Sequence, residues 1–155
     1  MLIQINKRIY IESCYLNSNI MLHLIDKIRQ ETQQVCSKEY GYILSIKNII
    51  KILDNKENIF NVLFQAEVFK PEKNQELQGN VCMIFKDGIF VDVLNIQKVL
   101  ISAKTLSNYK YDKTHNVFRH ITNDSIIDNM SCVNLIILDI KYNNHQFCCF
   151  GKLKE

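Results

Sequence analysis

One proline punctuates this chain. Pro71 closes a strictly alternating run in which Phe60, Val62, Phe64, Ala66 and Val68 share one side, while Asn61, Gln65 and Glu67 fall mostly on the other. A two-residue period of this kind predicts a half-buried β-strand. Pro71 has no N–H to give to a ladder, so the sheet must stop or change partner there. Beyond it, Gly79 and Gly88 supply two of the four glycines of the chain, and residues 81–85 and 89–94 flank Lys86-Asp87-Gly88. That spacing is a hairpin signal. The stretch 64–93 therefore predicts a seam between two β-rich units.

Upstream of the seam, Leu2, Ile3, Ile5, Ile9 and Ile11 alternate loosely and predict a short first strand. Asn17-Ser18-Asn19 offers capping side chains. Met21, Leu24, Ile25, Ile28 and Val35 then recur at helical spacing between charged residues, which predicts an amphipathic helix over about 19–35. Gly41 suits a turn or close approach at the start of the next strand. Residues 42–46 read as β, 48–53 read as a second strand, and 54–58 read as a polar turn. The outline is β-α-β-β, a helix on an antiparallel sheet.

Downstream, a short strand is expected at 99–102, followed by a long, polar, irregular segment at 103–129. A last hairpin, 132–141 with 146–154, turns at Asn143-Asn144. Five short strands with a long connection after the third match an OB-type barrel. The predicted fold class is therefore α+β, mainly β: an N-terminal β-α-β-β tip domain, truncated RNP-like, at 1–76, and a five-stranded OB-fold barrel at 77–155. A length of 155 residues allows two small units.

Charge excludes a strongly basic nucleic-acid surface. The net charge is +3; residues 1–76 hold ten Lys/Arg against nine Asp/Glu, and the rest hold nine against seven, giving +1 and +2. RNA binding by such a chain should be modest, salt-sensitive and aided by stacking. Apolar residues at 47% and charged residues at 23% place the chain among globular proteins. The six cysteines, at 14, 36, 82, 132, 148 and 149, form no CxxC pair and are expected as reduced thiols, with no metal site and no cofactor. Cys148 and Cys149 should point to opposite faces of a strand. The opening residues lack an apolar h-region and no run reaches membrane-span length, so neither a signal peptide nor a membrane is expected. His23, His115, His120 and His145 share no ligand or nucleophile spacing, and no Gly-rich phosphate loop exists. No catalytic residue is assigned.

Five motifs together carry a resemblance: Cys36-x-x-x-Tyr40-Gly41-Tyr42-Ile43, Val68-Phe69-Lys70-Pro71, Gly79-Asn80-Val81, Gly88-Ile89-Phe90-Val91 and the closing Gly151-Lys152-Leu153-Lys154-Glu155. In order and spacing the chain resembles the seventh-subunit family of archaeal and eukaryotic RNA polymerases. It departs at Asn74-Gln75-Glu76-Leu77 and at Leu94-Asn95-Ile96, where the family carries glycines, and its 54–58 region is short.

The resemblance implies a non-catalytic stalk subunit of a DNA-directed RNA polymerase, acting in transcription initiation. It implies pairing with the fourth subunit, docking of the tip at the clamp base of the large subunits, and an OB-fold facing nascent single-stranded RNA. Core docking is expected through Gly41, Tyr42, Leu53, Asp54, Asn55 and Lys56. RNA contact is expected through Lys86, Phe90, Lys98, Lys104, Tyr109, Lys110, Tyr111, Lys113 and Arg119, and an interdomain or partner seam through Phe69, Lys70 and Pro71. The implied location is the nucleus for a eukaryotic chain, or cytoplasm or virion for a large DNA virus. The alternative is a free-standing OB-fold RNA-binding or translation-factor-like protein. That protein would not need the motifs at 36–43 and 69–71.

Overall fold

The computed structural model describes residues 1–32 and 35–154. The chain divides into two compact units, Met1–Lys70 and a second beginning at Pro71. Residues 71–76 go with the second because Asn74 N–H donates to Ile137 O at 2.8 Å and Ile137 N–H donates to Gln75 O at 3.0 Å. The sequence reading put this boundary at 76/77.

The first unit is an open sheet in the order β1-β4-β3-β2 with one helix packed on it. Its strands are β1 (Leu2–Tyr10), β2 (Cys36–Ser37), β3 (Gly41–Lys56) and β4 (Ile59–Phe69). The alternation that ends at Pro71 is realised in β4: Phe64, Val62 and Ala66 are fully buried, and Phe60 and Val68 nearly so. They form one core with Ile5 and Ile9 of β1 and with Leu24 and Ile28 of α1 (Ile20–Thr32).

Helix α1 differs from its expected face. The buried stripe is Leu24, Ile28 and Thr32, one residue per turn at i, i+4, i+8, and the Thr32 hydroxyl is satisfied by donating to Ile28 O at 2.5 Å. Met21 and Val35, expected on this stripe, are exposed. Gln33 and Gln34 lie outside the described residues. Asn17 Oδ1 accepts from Asn19 N–H at 2.8 Å and closes the turn that leads into the helix.

Residues 42–56 correct the sequence reading most. They make one strand, not two strands and a turn. Along β3, residues advance three for every two on β4: Ile43 faces Val68, Ile46 faces Ala66, Ile49 faces Phe64 and Ile52 faces Val62. Leu44, Lys47, Ile50 and Leu53 are the extra residues of successive bulges. Each bulge restores the apolar side chain to the core side, so isoleucine at a period of three behaves here as a strand pattern. The turn shrinks to Glu57-Asn58, with Glu57 at φ 56°. Gly41 starts the strand at φ +76°, where a Cβ would run into the carbonyl oxygen of Phe69 and come within 2.7 Å of Lys70 Cα. Only glycine fits there.

The second unit is a closed five-stranded barrel with a small three-stranded sheet inserted after its third strand. The barrel strands are β5 (Glu76–Phe85), β6 (Gly88–Val93), β7 (Gln97–Ser102), β11 (Cys132–Asn143) and β12 (Gln146–Leu153). Closure comes from β11 running antiparallel to β5 and β12 running parallel to β7. This is the OB arrangement expected from the sequence. Val81, Ile89, Val91, Val99, Ile101, Leu135 and Ile137 fill the interior with no exposure. Gly79 lets β5 and β6 cross closely, since a Cβ there would lie 2.5 Å from Asp92 O. Cys149 faces inward while Cys148 faces out, and burial pushes the Cys149 thiol up to about 12, with a lesser push from Cys148. The last hairpin turns at Asn144-His145, φ 50° and 60°, one residue later than expected.

The segment 103–129 is not irregular. It folds as β8 (Tyr109–Asp112), β9 (Val117–His120) and β10 (Ile126–Ile127). Phe118, Ile127 and Leu106 are its buried apolar contacts. The strands are too short and too polar to announce themselves by periodicity.

Candidate nucleic-acid interface

The outer wall of the barrel carries an apolar row. Register places Met83 beside Phe90, Phe90 beside Leu100, and Leu100 beside Phe150, across four neighbouring strands. Met83 is 52% exposed and Phe150 36%, with Phe90 and Leu100 half-buried between them. Phe85 stacks on Phe90 at a centroid distance of 5.8 Å and 30° between planes. Lys141 Nζ lies 6.0 Å from the Phe150 ring centroid, in reach of a cation–π contact. An aromatic row of this kind, wet on one side, offers faces on which bases stack without sequence preference.

Of the residues expected to touch RNA, Phe90 is the one on this row. Met83, Phe85, Leu100, Phe150 and Lys141 were missed. The signal that finds the four apolar ones is strand parity: each is an outward position next to a buried one. Lys86 is exposed in the β5–β6 turn, and Lys98 is exposed on β7 opposite Asp92. Lys104 is exposed in a single 3-10 turn, Ala103–Thr105, whose start Ser102 Oγ caps by accepting from Lys104 N–H at 3.3 Å.

The remaining candidates gather on the inserted sheet. Tyr109 pairs with His120, Lys110 with Arg119 and Tyr111 with Phe118. The two tyrosines are engaged inside the sheet: Tyr109 meets the His120 ring edge-on at 5.0 Å, and Tyr111 packs on Phe118 at 5.4 Å with its hydroxyl 2.8 Å from Asn116 Oδ1. Alternation puts Lys110 and Arg119 on the other side. Asp112 staples the hairpin: Oδ2 accepts from Arg119 Nε at 2.8 Å and lies 2.8 Å from His115 Nδ1, and Oδ1 accepts from Thr114 N–H at 3.0 Å. Arg119 first, and then His115, hold the Asp112 carboxyl well below the usual carboxylate range. Lys113 is exposed in the β8–β9 loop.

The docking residues split. Gly41 and Tyr42 open β3, whereas Leu53, Asp54, Asn55 and Lys56 close it. Tyr42 faces Phe69 and Asp54 faces Asn61, so at about 3.4 Å per residue along β4 the groups stand roughly 27 Å apart. Tyr42 is half-buried and its side chain hydrogen-bonds Cys36, which opposes the rise that burial gives the Cys36 thiol pKa. The far end is open, with Leu53 40% and Ile59 48% exposed. At the proposed seam, Phe69 is buried and Lys70 Nζ donates to Glu39 O at 3.2 Å. Among the described residues, no group of three or more His, Cys, Asp or Glu is placed to hold a metal, and no helix is long and apolar enough to cross a membrane.

The fold and surface define an OB-type module with an apolar outer wall and an inserted sheet carrying Lys110 and Arg119, joined in the chain to a helix-on-sheet unit. Comparison with known proteins agrees. The family model "S1 RNA binding domain" matches residues 70–120. DNA-directed RNA polymerase V subunit 7 of Arabidopsis thaliana is 26% identical over 125 residues, covering 77% of this chain and 70% of that protein. DNA-directed RNA polymerase II subunit RPB7 of Glycine max is 26% identical over 149 residues, covering 91% and 84%. The Schizosaccharomyces pombe rpb7 subunit is 21% identical over 160 residues, covering 98% and 93%. Over most of its length the chain is thus similar to seventh subunits of RNA polymerases, which supports a divergent RPB7-like relationship.

Proposed function

We propose that this protein is a non-catalytic stalk subunit of a multisubunit DNA-directed RNA polymerase. The observation that carries the reading is that relatives named as polymerase subunits align with both units, up to 98% of this chain, and not with the barrel alone. A free-standing OB-fold RNA-binding or translation-factor-like protein would share the barrel without the first unit. In the stalk reading the chain pairs with the fourth subunit, and its first unit docks at the clamp base. The open end of the β3–β4 hairpin, at Leu53, Asp54, Asn55 and Lys56, is the docking tip, with Gly41 and Tyr42 forming a separate contact. A wedge there favours the clamp conformation in which its contacts exist. The Phe69-Lys70-Pro71 segment serves the seam, and the barrel unit contacts nascent single-stranded RNA. The chain works where its polymerase works, which for relatives in eukaryotes is the nucleus.

Affinity purification of the tagged full chain from its source cells tests this. The expected result is co-purification of a fourth-subunit partner and the large polymerase chains. Replacing 53–56 by Gly-Ser residues should lose the large chains and keep the fourth subunit. Recovery of RNA or ribosomal particles with no polymerase chain would overturn the stalk reading in favour of the free-standing one.

A further inference from the structure

We propose that the exposed side of the β8–β9–β10 sheet is a phosphate-binding subsite, in which Arg119 and Lys110 together hold one backbone phosphate of single-stranded RNA. This rests on the RNA-binding reading of the second unit and narrows it: the barrel wall stacks bases, and the inserted sheet grips the backbone. Register sets Lys110 directly opposite Arg119, with Ile126 next across the sheet. Like charges facing each other across an antiparallel pair repel and weaken the hairpin. An anion seated between them turns that repulsion into attraction.

The donors are positioned for it. Arg119 is held side-on, through Nε to Asp112, which leaves its two terminal amino groups outside that bond. A guanidinium fixed this way presents a planar fork suited to two phosphate oxygens, and the lysine adds a point charge. Among the described residues, none hydrogen-bonds or ion-pairs with the Lys110 side chain. Asp112 is saturated by Arg119, His115 and the backbone of the loop, so its charge is spent on the hairpin. Within 109–120, the three cations Lys110, Lys113 and Arg119 face the one carboxylate of Asp112, a surplus of two positive charges with histidine neutral. A pocket of about 450 Å³ opens at this place, lined by Lys110, Tyr111, Asp112, Arg119, His120 and Ile121. The S1 match runs to residue 120, so both cations lie inside the segment similar to an RNA-binding domain.

The test measures binding of a fluorescent oligouridylate, and of an abasic oligonucleotide of equal length, to the full chain over a range of salt. Lys110→Gln and Arg119→Gln should each weaken both probes by about 3- to 10-fold. The double variant should lower the slope of log affinity against log salt by about 0.7, the value for one phosphate contact on a single strand. Phe90→Ala should weaken the oligouridylate and spare the abasic probe. Asp112→Asn, which loosens the staple but keeps the cations, should leave the slope unchanged. If wild-type chain binds neither probe, the RNA-binding reading itself fails. If it binds both and the double variant keeps the wild-type slope with a wild-type circular dichroism spectrum, the subsite alone is overturned. Loss of a polymerase subunit from the purified complex with that same unchanged slope would also overturn it, assigning the two cations to an acidic protein segment.

Discussion

In the barrel, every strand has a neighbour on both sides; in the open sheet, among the described residues, β3 meets β2 at Cys36–Tyr42 and Ser37–Gly41, Ile43 N–H donates to Val35 O, and residues 44–56 form an edge. An unpaired edge invites pairing with other chains. The barrel removes the hazard by closure. The open sheet blunts it with bulges at Leu44, Lys47, Ile50 and Leu53, which twist the strand away from a regular template. The same two-residue alternation thus builds a closed object in one unit. In the other it builds a bent blade, whose burial fades from Ile43 at 6% exposed to Ile52 at 36%.

The largest expected effect compares the two cores. Phe64→Ala in the open sheet should destabilise by about 3–5 kcal/mol, and Leu135→Ala in the barrel by about 2–5 kcal/mol. Both side chains are fully buried. Denaturant unfolding of each variant checks this; a loss under about 1 kcal/mol for either would mean that the corresponding core is loosely packed.

The bent blade makes its own prediction. Ile46→Ala should cost about 2–4 kcal/mol, and Ile52→Ala less than about 1, although they are the same residue at the same period on the same strand. Equal losses would break the bulged register.

A smaller effect falls in the barrel. Leu94 and Asn95 adopt φ of 57° and 59° in the β6–β7 turn, where the resembled family carries a glycine. A left-handed non-glycine residue costs about 1–2 kcal/mol. Glycine at that position gives back part of this through its greater unfolded entropy, so Leu94→Gly should raise stability by roughly 0.5–1 kcal/mol in thermal or denaturant melts. A destabilised variant would show that Leu94 contributes packing of its own.

The smallest effect is a pH dependence. The folded-state pKa of Asp112 is depressed, chiefly by Arg119. The stability it contributes is therefore present above the ordinary carboxylate range near pH 4, and is lost progressively as the pH falls from there through the lower folded value. The Asp112 carboxyl carbon should show no NMR titration near pH 4. A midpoint for Asp112 near 4 would show that the staple does not form in solution.

Much of this was legible in the chain because it is local. The alternation of β4, the hairpin at Lys86-Asp87-Gly88 and the opposite faces of Cys148 and Cys149 each follow from neighbours a few residues apart. Residues 103–129 were not legible, since strands of four, four and two residues have too few periods to stand out and are held by pairing with one another. For the site, lysines and aromatics were visible as residue types but not as faces. Parity within β8 separates Tyr109 and Tyr111 from Lys110, and parity cannot be counted until the strand is known.

By itself, the sequence determined that there are two β-rich units, that a hairpin turns at Lys86-Asp87-Gly88 and which side of β4 is buried, because backbone sterics and apolar periodicity act over a few residues. The tertiary structure decided that β12 runs parallel to β7 to close the barrel, that β3 winds three residues against two, and that Lys110 meets Arg119. Those depend on which distant segments share hydrogen bonds, and that choice is made by burying the whole core at once.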